Sequence, residues 1–311
     1  MRTPPASVDD ELIAQTLADH WSLAIEDIEH LPVGGGAHHW RATGAGGTLF
    51  VTLDQLGTRH SAASLDDAYA TAADLAAGGL EMVCAPLRNR LGRFTVDAGV
   101  GFLSATPWLE GHSPTEVEYR APAHLTKVID ALDSLHATNA PGPLRDWSPR
   151  VASDFAQEVR LRTEHPWDSG PFGEVARTAL AAHGPAIERW TRRYHELTQR
   201  ARSRRHTWVP THGEPHEDNQ VIHGTFLKLV DWESVRLAPR ERDYSDLIAA
   251  GCSDRLDADP LMVELFALDW RLSEITEYAD WFAGHHVGSE DDEEAIQGLH
   301  EELSTQLPLG D

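Results

Sequence analysis

Between Thr211 and Glu233 the chain concentrates side chains that could do chemistry. His212, Glu214, His216, Glu217, Asp218 and Asn219 sit in one tight polar run, and Asp231 and Glu233 follow a short apolar stretch. Three chemistries compete for this pattern. Zinc could be held by His212, Glu214 and His216, because two His at i and i+4 share one face of a helix. Pro215 lies inside that span, removes an amide donor and breaks a helix, so the spacing argues against the metal. His212-x-Glu214 is also half of a zinc-deaminase signature, but the Pro-Cys-x-x-Cys half is missing. Phosphoryl transfer needs a carboxylate to orient an attacking hydroxyl, and an Asn and an Asp to hold magnesium on nucleotide phosphates. Glu214, Asn219 and Asp231 supply hard oxygen donors of the required types. A plain loop-capping role for Asp231 is the bland alternative.

The elements around this run must bring its two ends together. Five residues separate Glu214 from Asn219, so one loop can present both. Gln220 to Val230 reads as two short strands turning at His223-Gly224, which returns Asp231 to the same place. Upstream, 9–20 has helical periodicity, and 30–54 reads as strands around Gly-rich turns. Residues 61–77 read as a helix, with Ser64 and Asp67 as a capping-box-like start and Gly78-Gly79 as its end. Strands follow near 91–96 and 101–105. Thr106-Pro-Trp-Leu-Glu-Gly111 punctuates the chain as a hinge. Beyond it the chain turns helical, near 115–138, 150–163, 172–205 (interrupted by Gly184-Pro185), 243–251, 258–284 and 291–305. The expected class is α+β: residues 1–105 as a small antiparallel sheet lobe, 106–111 as a hinge, and 112–311 as a larger, mainly helical lobe.

Bulk composition narrows the partners. The chain has 311 residues, 41% hydrophobic and 24% charged, with no apolar run near the ~20 residues that span a bilayer. Its N-terminal residues lack an apolar signal core, and two cysteines are too few for a disulfide framework, so a reduced cytoplasm is expected. A net charge of -24 disfavours nucleic acid and anionic membrane and suits a cationic ligand, although solubility alone is a sufficient reason for it. The chain has two lysines, Lys127 and Lys228.

With these residues in place, the chain resembles the aminoglycoside phosphotransferase and choline-kinase-like family. The likeness rests on His212-Gly-Glu-x-x-x-x-Asn219, on Val230-Asp-Trp-Glu233 with Ala-Pro-Arg-Glu-Arg-Asp243 downstream, on Pro107-Trp-Leu-Glu-Gly111, and on Leu135-His-Ala137. It implies a bilobal protein-kinase-like fold, with ATP or GTP as co-substrate and Mg2+. It also implies Glu214 and His212 as catalytic residues, Asn219 and Asp231 as metal ligands, and Pro107 and Trp108 as the base-contacting hinge. Asp243 resembles the family's Asp that braces the loop. Two positions depart from the family. Glu214 stands where Asp is usual, which moves the carboxylate by about 1 Å. Thr52, in Phe50-Val-Thr-Leu-Asp54, stands where the family has a phosphate-holding Lys, and no Lys precedes residue 127. Arg41 or Arg59 could replace that charge. Gly34 to Gly36 fits a flap over phosphates, and it is neither a Walker loop nor a Rossmann fingerprint. His38-His39-Trp40 follow it and read either as strand residues alternating in and out or as placing a His, His38, over the phosphates.

Trp270, Glu274, Glu277 and Trp281 recur at spacings of 4, 3 and 4, one face of a helix, which reads either as a wall for a cationic, sugar-like acceptor or as a surface face with its tryptophans tucked against a neighbour. Leu268, Leu272, Ile275 and Phe282 mark its core side. The reading is therefore an ATP- or GTP-dependent O-phosphotransferase for a small hydroxyl acceptor, such as an aminoglycoside-like antibiotic or amino alcohol, in a monomer or homodimer. The rivals are a catalytically impaired kinase-fold binding protein and, more distantly, a metallohydrolase.

Overall fold

The structure, a computed structural model, describes residues 5, 8–34, 37–56, 60–139 and 142–304. These fall into two compact units, one of residues 1–147 and 209–252, the other of 148–208 and 253–311. The expected hinge at 106–111 lies inside the first unit.

The first unit opens with α1 (Asp10–Trp21), whose first turn is capped by the Asp9 carboxylate accepting from the Leu12 amide. Strands β1 (Ile25–Leu31), β2 (Ala37–Gly44) and β3 (Gly47–Asp54) follow. After α2 (Ala62–Ala77) come β4 (Thr95–Asp97) and β5 (Phe102–Pro107). The five strands form one antiparallel sheet in the order β1-β2-β3-β5-β4. Alternation along β3 sorts its two faces. Leu49, Val51 and Leu53 join Ile13, Leu17 and Trp21 of α1 in a buried core. Phe50, Thr52 and Asp54 take the opposite face.

The cap of α2 differs from expectation. Ser61 and Ser64 form the capping box, and Asp67 instead accepts from Arg145. Ser61 can serve because the N-cap must accept from the amide three residues on, and Ser64 stands there. Gly78 ends the helix as expected.

The rest of the first unit carries α3 (Glu116–Tyr119), then α4 (Pro122–His136), which begins with proline at its first position. The single helix expected over 115–138 is thus two. Strand β6 (Val209–Thr211) enters the polar loop. The hairpin β7 (Gln220–His223) and β8 (Phe226–Leu229) turns through Gly224 at φ +58°, and β9 (Arg236–Ala238) pairs back on β6. Helix α8 (Ser245–Ala249) follows.

The second unit is helical. It contains α5 (Phe155–Arg162), α6 (Gly173–Ala182), α7 (Gly184–Ser203), α9 (Pro260–Ala283) and α10 (Glu290–Ser304). Helix α9 is its centre, packing on α6, α7 and α10. Leu268, Leu272, Ile275 and Phe282 are fully buried, as their periodicity requires. Arg193 grips Glu264 with two guanidinium donors. None of the described helices is long and apolar enough to cross a membrane.

Leu17 is fully buried between α1 and the sheet. Leu17→Ala is expected to cost about 2–5 kcal/mol of unfolding free energy, by lost transfer and by the cavity left behind. A urea titration followed by Trp fluorescence measures it.

Candidate active site

Every candidate in the polar loop lies in the first unit. Its anchor is Asp243, a carboxylate 1% exposed at the end of a short 3-10 turn, Arg240–Asp243. Asp243 accepts from the His212 amide at 3.0 Å, from the Gly213 amide at 2.6 Å and from His136 Nε2 at 2.9 Å. Burial alone would raise its pKa. The His136 hydrogen bond and charge, with His212 and Arg242 nearby, outweigh burial and hold the group below the ordinary carboxylate range.

Arg242 braces the same segment, donating to Thr211 Oγ1 at 3.1 Å and to the Ser234 carbonyl at 2.8 Å. Gly213 turns past that guanidinium at φ +102°, and a Cβ there would overlap it. Only glycine meets both demands.

His212 is fully buried and held on both ring nitrogens. Nε2 bonds the Val230 carbonyl at 2.9 Å, and Nδ1 accepts from the Glu214 amide at 3.3 Å. Its ring meets Trp232 edge-on, with centroids 4.5 Å apart, and burial lowers its pKa. This geometry ties the loop to the strand end that leads to Asp231. Both ring nitrogens of His212 are thereby engaged within the fold.

Glu214 is half-buried. Ser234 Oγ donates to its Oε1 at 2.9 Å, which fixes the carboxylate's orientation. Asn219 Nδ2 donates to the Glu214 carbonyl at 2.9 Å, and the Val230 amide donates to the Asn219 carbonyl at 3.0 Å. The loop that carries Glu214 and Asn219 is therefore stitched to the end of β8, one residue before Asp231. Asp231 takes a left-handed conformation, φ 60° and ψ 65°, which tilts the chain into the turn Trp232–Ser234. Gln220, fully buried, supports the loop from below. Its amide donates to the Pro215 carbonyl at 2.7 Å, and its oxygen meets His124 Nε2 at 2.7 Å. The sequence reading passed over Ser234, Gln220 and His124. Only the position of Gln220 and Ser234 beside the flagged residues could have pointed to them.

A metal of the kind the resemblance implies would find hard oxygen donors in the Asn219 side-chain carbonyl, whose Nδ2 is committed to Glu214, and in the Asp231 carboxylate. Among the described residues, no group of three or more His, Cys, Asp or Glu is arranged to hold a metal alone. Magnesium sites commonly use one or two carboxylates completed by phosphates and water.

On the sheet, Thr52 Oγ1 is hydrogen-bonded to His39 Nδ1 at 3.1 Å. Burial lowers the His39 pKa to about 4, so that ring is neutral at pH 7. His38 has the wrong parity for the role expected of it. It pairs with Leu53 and packs at 6.2–6.3 Å from His30 and Trp40, on the core face of β2. Successive strand residues point to opposite faces, so the ring beside Thr52 is His39.

Arg41 lies across from Phe50 with its guanidinium 4.8 Å above Trp108, at the hinge end of the strand. Phe50 lies between His39 and Trp108, with centroids 4.9 and 6.5 Å away. Pro107 has no amide proton, and the Trp108 amide donates to the Thr48 carbonyl at 3.1 Å. Gly34, at φ +70°, approaches His39 closely. Gly36 and Arg59 lie outside the described residues.

The face expected on α9 is not an open wall. Trp270 is exposed, but Glu274 is buried and hydrogen-bonded by Tyr278, and Trp281 Nε1 donates to Asp292 at 2.7 Å. Glu277 is half-buried. Shared angular position placed the four together, whereas packing by α10 and the helix's own Tyr278 turned two of them inward.

Gly213→Ala is expected to destabilise the protein by at least about 2 kcal/mol, from the unfavourable φ and the overlap with Arg242. Chemical denaturation measures it.

Residues 29–281 match the phosphotransferase enzyme family. Protein StrN of Streptomyces griseus is 26% identical over 311 residues, covering 96% of this chain and 92% of its own. Among solved structures, a spectinomycin phosphotransferase in complex with ADP and spectinomycin aligns with a TM-score of 0.72 at 14% identity. It covers 95% of this chain and 94% of its own. A microcompartment-associated aminopropanol kinase aligns with a TM-score of 0.63 at 13% identity, covering 94% and 95%. The sheet-then-helix architecture is thus the expected kinase-like fold, and the chain belongs to the phosphotransferase enzyme family, whose members transfer phosphoryl groups to small molecules.

Proposed function

We propose that the protein transfers the γ-phosphoryl group of ATP or GTP to a hydroxyl of a small cationic molecule, an aminoglycoside-like compound or amino alcohol. The observation that supports this reading is the hydrogen-bonded joining of the loop bearing Glu214 and Asn219 to the strand end that leads into Asp231. In this reading residues 1–105 hold the nucleotide, 106–111 form the hinge, and 112–311 carry the catalytic loop and the acceptor site. The acceptor is left open by the comparisons. Spectinomycin and aminopropanol, bound or used by similar proteins, are the first probes, and the charge of -24 favours cations over anions.

Glu214 would accept the proton of the acceptor hydroxyl as its oxygen attacks the γ-phosphorus and the bond to the nucleoside diphosphate breaks. Ser234 would keep the carboxylate aimed. Asn219 and Asp231 would hold Mg2+, whose role when bound is to neutralise phosphate charge. His212, His136 and Asp243 would keep the loop in register. The rival reading, nucleotide binding without turnover, draws on Thr52, whose hydroxyl partners a neutral His39 where an ammonium would be useful.

Glu214→Gln is expected to lower turnover by about 100-fold or more while leaving nucleotide affinity unchanged, since a general base acts on the acceptor. Steady-state kinetics with calorimetric nucleotide titration separates the two effects. A wild type that binds nucleotide but phosphorylates no acceptor favours the rival.

Asp231→Asn is expected to abolish the magnesium dependence of nucleotide binding without unfolding the chain. Asn tolerates the left-handed conformation that Asp231 adopts. Calorimetry with and without Mg2+ reads the first effect, and thermal melting reads the second. Unchanged affinity with Mg2+ would remove Asp231 from the metal site.

A further inference from the structure

Helices α7 and α10 carry charge that the catalytic reading leaves unused. Along α7, Arg189, Arg192, Arg193, Glu196 and Arg200 recur at i, i+3, i+4, i+7 and i+11, one face of the helix. Arg193 is half-buried and the other four are exposed. The opposite face, with Ile187, Tyr194 and Leu197, is buried. Along α10, Glu290, Glu293, Glu294, Gln297 and Glu301 recur at the same spacing, and all are exposed. The two stripes match position by position. Each Arg of the first corresponds to a Glu of the second. The acid of the basic stripe, Glu196, corresponds to the uncharged Gln297, whose amide can donate to a carboxylate.

Helix dipoles do not account for both stripes. Acids suit the first turn of α10, but Glu301 lies in its last turn, where negative charge is unfavourable. Both helices pack on α9 within the second unit. Among the described residues, no ion pair joins one stripe to the other, and Arg192 and Arg200 pair with no carboxylate. Arg193 reaches Glu264 of α9. The charges that complement each stripe are therefore supplied from outside the chain.

We propose that a second copy of this chain supplies them, with α7 of one copy lying on α10 of the other and, by two-fold symmetry, α10 on the other's α7. The helices run in the same direction across each seam, because the equal spacings then align. Two chains of net charge -24 repel at long range, but at physiological salt that repulsion is screened beyond about 8 Å, whereas contacts along a seam lie within it. Exposed ion pairs are individually weak, so the dimer is reversible and salt-dependent, and charge complementarity sets its register and its choice of partner. A nucleic acid would match α7 and leave α10 unused. The inference does not depend on the phosphotransferase reading.

Sedimentation velocity at high protein concentration tests it. The wild type is expected to be a dimer at physiological ionic strength and a monomer at about 1 M salt, where the screening length falls to about 3 Å. Arg192→Glu with Arg200→Glu, and separately Glu290→Arg with Glu301→Arg, are each expected to weaken self-association at least about tenfold, because each reversal sets like charges across both seams. Mixed in equal amounts, the two double variants are expected to regain dimerisation, since each then presents the charge that the other needs. Thermal melting confirms that both fold, as the exposure of all four positions leads one to expect. A wild type that stays monomeric at both salt concentrations, reversals that leave the dimer unchanged, or a mixture of folded variants that stays monomeric would each overturn the interface. Capture of a duplex oligonucleotide in place of self-association would overturn it in favour of a polyanion surface on α7.

Discussion

A single buried carboxylate organises the functional loop. Asp243 collects two consecutive backbone amides, of His212 and Gly213, and the imidazole of His136. Removing it would leave two buried donors unsatisfied, a cost of about 1–3 kcal/mol each. Its charge is retained in the interior because these donors together outweigh desolvation. The loop therefore cannot drift relative to α4, and β6 is held in place on the same scaffold. His212, whose amide Asp243 accepts, also bonds the Val230 carbonyl, one residue before Asp231 and its left-handed turn.

Precision at this loop matters because of Glu214. A longer carboxylate than the family's Asp reaches further and has an extra rotatable bond. Ser234 Oγ and the Asn219 amide restrain it at the side chain and the backbone respectively. Pro215 adds its own stiffness, and its carbonyl is taken up by Gln220. The substitution at 214 is thus accommodated by neighbours that hold the lengthened residue.

The sheet face opposite α1 divides into two halves of different character. Toward Pro107 it is aromatic, with Phe50 between His39 and Trp108 and with Arg41 stacked on the indole. Toward the end of β3 it carries the buried carboxyl of Asp54.

The sequence alone disclosed the polar loop, because its roles depend on residue types and on spacings that a single loop and hairpin can span. It also disclosed most of the helices, since a 3.6-residue period is local, and the buried stripe of α9 followed it, although the break between α3 and α4 escaped it. It did not disclose which His of the pair 38–39 faces Thr52. That parity depends on the cross-strand partner and on the face that α1 covers. It did not disclose that Glu274 and Trp281 turn inward, because a helix face is exposed or buried according to its neighbours. Asp54 read as the ordinary end of a strand. Only the tertiary structure buried its carboxyl and packed α2 against the turn after Asp231, far along the chain. Local periodicity is written in consecutive residues, whereas charge environment is created by segments distant in sequence.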